Sequence, residues 1–199
     1  MTHLSISLSC QPGCVRDHNE DILLVCTETY RDKDATRELD IDETSALILA
    51  VADGLGGHNA GEVASEDAAT ELGSHITVLP RVLTPGELRQ DMEQWLIDEH
   101  NYFIEQGTIH PERQGMGTTL AAVLCYRNSF YAINCGDSRL YIFHEGQLRQ
   151  LSHDHSLYAQ THCKSHQHII TNCIGGGGTE AYMDFEDITE CVHDGDKLM

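Results

Sequence analysis

The chain has 199 residues, enough for a single domain that buries roughly 70% of its unfolded surface without covalent staples. It carries 32 acidic and 12 basic residues, a net charge of −20 with histidines neutral, and that excess argues against nucleic acid or anionic membranes as partners. The eight cysteines include no CxxC pair, no run reaches transmembrane length, and the first ten residues lack the head and apolar core of a signal peptide. Reduced thiols and a cytoplasmic location are therefore expected.

Leu4, Ile6 and Leu8 alternate with serines, the pattern of a strand with one buried face. After the turn Gln11-Pro12-Gly13, residues 22–26 form a second short apolar strand. Residues 27–44 are highly charged and read as a solvated, mobile hairpin loop. Residues 46–52 are a continuous apolar run of strand length that ends at Asp53. Gly54, Gly56 and Gly57 follow, and Asn59 with Glu62 can cap the next helix. That helix is expected over 60–78, with Ala64, Ala68, Leu72 and Ile76 on one face. Thr84-Pro85-Gly86-Glu87 starts a second helix, whose stripe is Leu88, Met92, Trp95, Leu96 and Phe103. Both helices should cover one face of a sheet.

A loop is expected over 106–115. Four strands then follow, at 120–126, 130–134, 140–143 and 147–151. Their connections, Arg127-Asn128, Gly136-Asp137 and Glu145-Gly146, are short enough for an antiparallel meander. Residues 152–165 are polar and His-rich, with one short helix, and 175–178 are a glycine loop. A strand is expected over 183–191, a turn at Asp194-Gly195 and the start of another strand at 197–199. Strands, then two helices, then strands give an α+β layered domain.

The chemistry gathers around two segments. An acid at the end of a buried strand, followed by glycines, can hold a hard cation, because the strand fixes the carboxylate and the loop can turn carbonyls inward. The plainer alternative is a strand-turn-helix corner with a solvated Asp53. Arg16, Glu20 and Asp21 share the segment RDHNED. Acids that hold divalent metals, beside an arginine that grips phosphate oxygens, suit phosphate chemistry. Alone, RDHNED reads as a solvated, acid-rich turn.

RDHNED, VADGLGGHNAGEVAS, GMGTTL at 115–120 and NCGDSRLY at 134–141 occur in that order. Together they resemble the metal-dependent protein phosphatases, the PPM or type 2C Ser/Thr family, in its bacterial branch. The resemblance implies a sandwich of two antiparallel β-sheets flanked by α-helices, with Mn²⁺ or Mg²⁺ at one end, two ions and a third in bacterial members. It implies that Asp53 bridges the two metals, that the Gly54 carbonyl binds one, and that Glu20 and Asp21 hold metal-bound waters. Arg16 would bind the substrate phosphate, Thr118 would support the site, and Asp137 would serve the third, weaker metal. The implied reaction is attack of a metal-activated water on a phosphoserine or phosphothreonine protein, opposed in the cell by a Ser/Thr kinase. Leu55 stands where eukaryotic members carry a histidine, and Asn172 stands near the place of an arginine usual in bacterial ones.

The family supplies two further metal-binding aspartates near its C-terminus, one in a DGL-type motif after the strand that follows the Asp194-Gly195 turn. This chain reaches Met199 inside that strand. Residues 1–199 are thus expected to be a single domain of this type lacking its last strands and helix. A catalytically inactive, metal- or phosphoprotein-binding fragment is the alternative. A zinc module built on His153, His155, His162, Cys163, His166, His168 and Cys173 matches no zinc spacing and ranks below a His-rich surface segment.

Overall fold

The computed structural model describes residues 2–14, 17–55, 59–166 and 169–199. Strand β1 spans Thr2–Cys10, β2 Asp21–Val25, β3 Glu28–Tyr30 and β4 Lys33–Ile41. The apolar run is β5, Ala46–Leu55, followed by helices α1, Asn59–Val78, and α2, Pro85–Ile109. Next come β6, Gly117–Thr118, β7, Leu120–Tyr126, β8, Ser129–Cys135, β9, Tyr141–His144, and β10, Gln147–Gln150. A short helix α3, Leu157–Thr161, precedes β11, Ile174–Gly175, β12, Asp184–Asp187, and β13, Lys197–Leu198.

The central sheet runs β3-β2-β5-β7-β8-β12, with β6 and β11 continuing from the far end of β5; all its pairings are antiparallel. Alternation along β5 sends Ile48, Ala50 and Ala52 to one face, where they pack with Ala64, Ala68 and Leu72 of α1 and with Leu88, Met92 and Phe103 of α2. Leu47 points the other way, into a core shared with Val123, Ala132, Ile41 and Leu140. The second sheet layer lies on that face in two pieces, β1-β4 and β10-β9-β13. Because both faces are covered, every residue of β7 is buried. This is why the strand reads as a continuous apolar run although its pairing is antiparallel.

The expected loop over 27–44 is instead mostly strand. Residues 33–41 pair with β1 along its whole length, from Cys10 opposite Lys33 to Thr2 opposite Ile41. Ala35, Leu39 and Ile41 turn inward with Arg37, which lies over the Tyr30 ring, while Asp34, Glu38 and Asp40 face water. Helix α2 continues through 106–109, where a loop was expected. The strand expected over 183–191 is only β12; a 3₁₀ turn at Thr189–Cys191 follows it. The Thr84–Glu87 capping box forms as expected, with Thr84 N–H donating to Glu87 Oε2 at 2.8 Å. The Glu62 carboxylate accepts from Arg31 Nη1 at 2.9 Å.

The four-strand meander is overturned at one connection. Arg127-Asn128 and Glu145-Gly146 are tight hairpins, all four residues at positive φ, as two-residue turns require. At Gly136-Asp137, however, the chain leaves the central sheet and enters the second one, since β8 pairs with β7 and β12 but β9 pairs with β10 and β13. Gly136 turns this corner at φ +118, packed so closely that a Cβ would sit 2.6 Å from Thr119 Cβ. That sheet switch carries Asp137 to the end of the sandwich where Asp53 lies.

Candidate functional site

The geometry begins with register. Asp21 and Asp53 are direct cross-strand partners at the ends of β2 and β5. Residues opposite one another on an antiparallel pair project to the same face, with Cβ atoms about 5 Å apart. The pairing therefore gathers two carboxylates that are 32 positions apart in sequence.

The backbone of Asp53 is held from the neighbouring strand. Its carbonyl accepts from Thr119 N–H at 2.9 Å and from Thr118 Oγ1 at 3.0 Å. Its N–H donates to Thr119 Oγ1 at 3.2 Å. Both threonines are fully buried. Thr118 thus braces the Asp53 backbone once and Thr119 twice. Thr119 Oγ1 also bonds Ser138 Oγ at 2.6 Å, which ties Asp53 to the corner that carries Asp137. Asp137 is half-buried, and burial raises its carboxyl above the ordinary aspartate range, with Asp154 adding to the effect. Asp154 itself is lowered by its hydrogen bonds from Arg139.

Glu20 is buried, with Oε1 3.5 Å from His18 Nε2. Its carbonyl accepts from Gly54 N–H at 3.1 Å and from Ser65 Oγ at 2.6 Å. This brings the start of β2, the end of β5 and the first turns of α1 into one junction. The contact is possible only without side chains: a Cβ on Gly54 would lie 2.0 Å from Gly61 O and 2.9 Å from Glu20 O. Asn19 caps the turn, its Oδ1 accepting from Asp21 N–H at 3.0 Å.

Arg31 closes the junction and was hidden in sequence by the charged stretch around it. Its Nε donates to Asp21 O at 3.2 Å, and its Nη2 donates to Glu62 O at 2.9 Å and Ser65 Oγ at 3.0 Å. The side chain is largely buried, so these bonds are shielded from water. Arg16, together with Gly56 and Gly57, lies outside the described residues.

His155 is likewise a buried member of the structure. Its Nδ1 accepts from Gly136 N–H at 3.1 Å and lies 2.7 Å from Asn172 Nδ2. That fixes the proton on Nε2, which faces Asp184 Oδ2 at 3.2 Å. Asn172 is committed to this hub, which braces the sheet switch at Gly136.

A sequence model described as protein phosphatase 2C matches residues 29–174, which include Asp53, Thr118 and Asp137. The chain belongs to the protein phosphatase 2C family. It is 37% identical over 149 residues to the serine/threonine phosphatase stp of Listeria welshimeri, covering 73% of this chain and 52% of that protein. The chain therefore spans about half the length of the Listeria relatives it matches. Among solved structures, the serine/threonine phosphatase of S. agalactiae superposes with a TM-score of 0.76 at 24% identity, over 99% of this chain and 78% of that one. The catalytic domain of PstP, solved in complex with 2 manganese ions, superposes at 0.67 with 26% identity, over 98% and 75%. The PPM sandwich expected from the motifs is the fold observed. Among the described residues, no helix is long and apolar enough to cross a membrane.

Proposed function

We propose that this chain carries the metal-binding end of a phosphatase that hydrolyses phosphoserine and phosphothreonine in proteins. The supporting observation is the Asp21–Asp53 register pair, locked by Thr118 and Thr119 and flanked by buried Glu20. Like charges directly opposite one another in a sheet repel. A divalent cation among them turns that repulsion into attraction, so the donor set fits such an ion. Carboxylates and a backbone carbonyl are hard oxygen donors, which select Mg²⁺ or Mn²⁺ over softer metals.

In this reading the Asp53 carboxylate and the Gly54 carbonyl would hold the divalent ions. Glu20 and Asp21 would act through water, and Asp137 would serve a third, weaker position. When bound, the ions supply a nucleophile from water at neutral pH and shield the phosphate charge. The chain's own residues fix where this happens. The paired threonines fix the backbone of Asp53, and Arg31 fixes the start of β2 against α1. Arg16 grips the phosphate through its two-pronged guanidinium. A phosphoprotein substrate, an opposing Ser/Thr kinase and a cytoplasmic role in bacterial signalling complete the proposal.

The test uses wild type and Asp53→Asn in parallel. Mn²⁺ binding is followed by loss of the free-ion electron paramagnetic resonance signal, and turnover by phosphate release from a phosphothreonine peptide. Binding and turnover that both depend on Asp53 support the proposal. Binding without turnover points to a phosphoprotein- or metal-binding role for this chain. Unchanged Mn²⁺ binding in Asp53→Asn refutes the assignment of the centre.

A further inference from the structure

A second cluster of ligand-type side chains stands at the other end of β9 and takes no part in the site above. The register of β13 on β9 sets Lys197 opposite Phe143 and Leu198 opposite Ile142, which brings Asp196 opposite His144. Just before β13 the chain makes a tight turn. Asp196 N–H donates to His193 O at 3.0 Å, and Gly195 takes the positive φ of +89 that the turn needs. Register and turn together converge His144, His193 and Asp196, whose donor atoms all lie within 4.8 Å of one another.

We infer that His144, His193 and Asp196 form a binding site for a borderline divalent ion of the Zn²⁺ type. This is independent of the Mg²⁺ or Mn²⁺ proposed at Asp53. Two imidazoles and one carboxylate, with a fourth position left to water, match a recurrent three-ligand zinc set. Imidazole donors also discriminate against Mg²⁺, which prefers oxygen. The carboxylate is already aimed: Asp196 Oδ2 accepts from His193 N–H at 2.9 Å, and Oδ1 lies 2.7 Å from His144 Nδ1. Its side chain is 6% exposed, so it cannot swing freely into solvent, whereas both imidazoles remain accessible to an incoming ion.

The distances fit. Zinc bonds of about 2.0–2.1 Å in a tetrahedron put neighbouring donor atoms roughly 3.4 Å apart. His193 Nδ1 and Asp196 Oδ2 stand 3.5 Å apart, and the 2.7 Å His144–Asp196 contact has to open by less than an ångström. Glu145 Oε2 stands 3.9 Å from His144 Nε2, beyond hydrogen-bond range, and would have to close by roughly 1 Å to accept the other ring N–H as metal-bound histidines usually require. The other His–Asp group differs in this respect. At His153, His155 and Asp184, both imidazoles approach the same Asp184 Oδ2, at 3.7 and 3.2 Å, but the three donor atoms do not all lie within 4.8 Å of one another.

An ion held here would staple the end of β9 to the turn that starts β13. The competing account is that the same hydrogen bonds simply lock the turn and no ion is taken. Zn²⁺ affinity is measured on the full chain by competition with a chromophoric chelator, in excess Mg²⁺ so that the oxygen-ligand end is occupied. Thermal unfolding is followed alongside. Wild type should bind one Zn²⁺ through this cluster and melt at a higher temperature with it. His144→Ala and His193→Ala, both at exposed positions, should each weaken that binding by roughly tenfold or more. His162→Ala and Asp53→Asn should leave it unchanged. The proposal is overturned if wild type takes up no Zn²⁺ under these conditions, or if the His144→Ala/His193→Ala double variant binds as tightly as wild type. It also fails if the uptake is lost in His162→Ala instead.

Discussion

Glu99 should make this protein less stable as pH rises from 5 to 8, and replacing it should remove the effect. The residue lies on the inner face of α2, 7% exposed, beside an acidic cleft of about 710 Å³ between α1 and α2. Among the described residues its Oε1 has no hydrogen-bond partner, nor does Trp95 Nε1 nearby. Burial, then Glu71 and Asp67 across the cleft, push its carboxyl from 4.5 up to about 7. Below pH 4.5 the group is protonated in both states and contributes no pH dependence. Between 4.5 and 7 the unfolded chain has released its proton while the folded chain keeps it, so folding loses ground as pH rises. Above pH 7 the penalty is complete, about 3 kcal/mol at 1.36 kcal/mol per pH unit. For a chain of this size that is about 6–12 °C in Tm. Glu99→Gln keeps the shape and removes the charge. Any cost of its unpartnered amide is independent of pH. The readout is therefore the Tm difference between variant and wild type at pH 5 and pH 8, in a calorimeter at matched ionic strength. The difference should swing in the variant's favour by about that amount. Added salt should reduce only the share due to Glu71 and Asp67. A difference that does not change with pH would refute the reasoning.

Two further outcomes follow from the junction itself, and a third from the proposed role of Arg16. Gly54→Ala forces a methyl into Gly61 O and should cost about 1–3 kcal/mol or more by overpacking, seen as a lowered Tm together with lost Mn²⁺ binding. Thr119→Val leaves Asp53 N–H without its acceptor and severs Ser138, so it should destabilise by about 1–3 kcal/mol and weaken Mn²⁺ binding although no ligand is changed; unaltered stability and binding would remove Thr119 from the site. In an active form, Arg16→Ala should raise KM for a phosphopeptide by about tenfold to a hundredfold, from the loss of about 1.5–3 kcal/mol, with Arg16→Lys restoring only part; an unchanged KM would place Arg16 away from the phosphate.

What was legible in the sequence was set by local chemistry. The apolar run of β5, the Thr84 capping box of α2 and the two tight hairpins each carry their own signal within a few residues. Strand β4 was not legible, because its inward residues Ala35, Leu39 and Ile41 are diluted by charges and its partner β1 lies at the start of the chain. Gly136-Asp137 gave a turn but not its destination. A glycine corner looks the same whether the chain returns to its own sheet or crosses to the other. The acids of the site were named from their motifs, yet only the register showed that Asp21 and Asp53 face each other. Arg31 and Thr119 were missed for a common reason: each acts on the backbone of a residue distant in sequence, and side chain–backbone bonds of that kind leave no spacing pattern to read.

The same register decides which further acids can reach the Asp53 end. Asp194 and Asp196 follow the family's order closely enough to suggest themselves as late metal ligands. Strand β9 separates them from that site. Its first residue, Tyr141, follows the corner of Asp137 and Ser138, and Ser138 is bonded to the threonine that holds Asp53. Its last residue, His144, faces Asp196. From the first to the last of its four residues the strand spans about 10 Å, whereas a carboxylate must lie within about 2.6 Å of a hard cation to bind it. Asp196 could reach the Asp53 end only if β13 unpaired from β9 and the turn at 193–196 opened. That would break the bonds from Asp196 N–H to His193 O and from His193 N–H to Asp196 Oδ2, as well as the contact with His144. The turn therefore belongs to the far end of the sandwich. Among the described residues, the carboxylates that the proposed centre would draw on are those at the ends of β2 and β5 and at the sheet switch after β8.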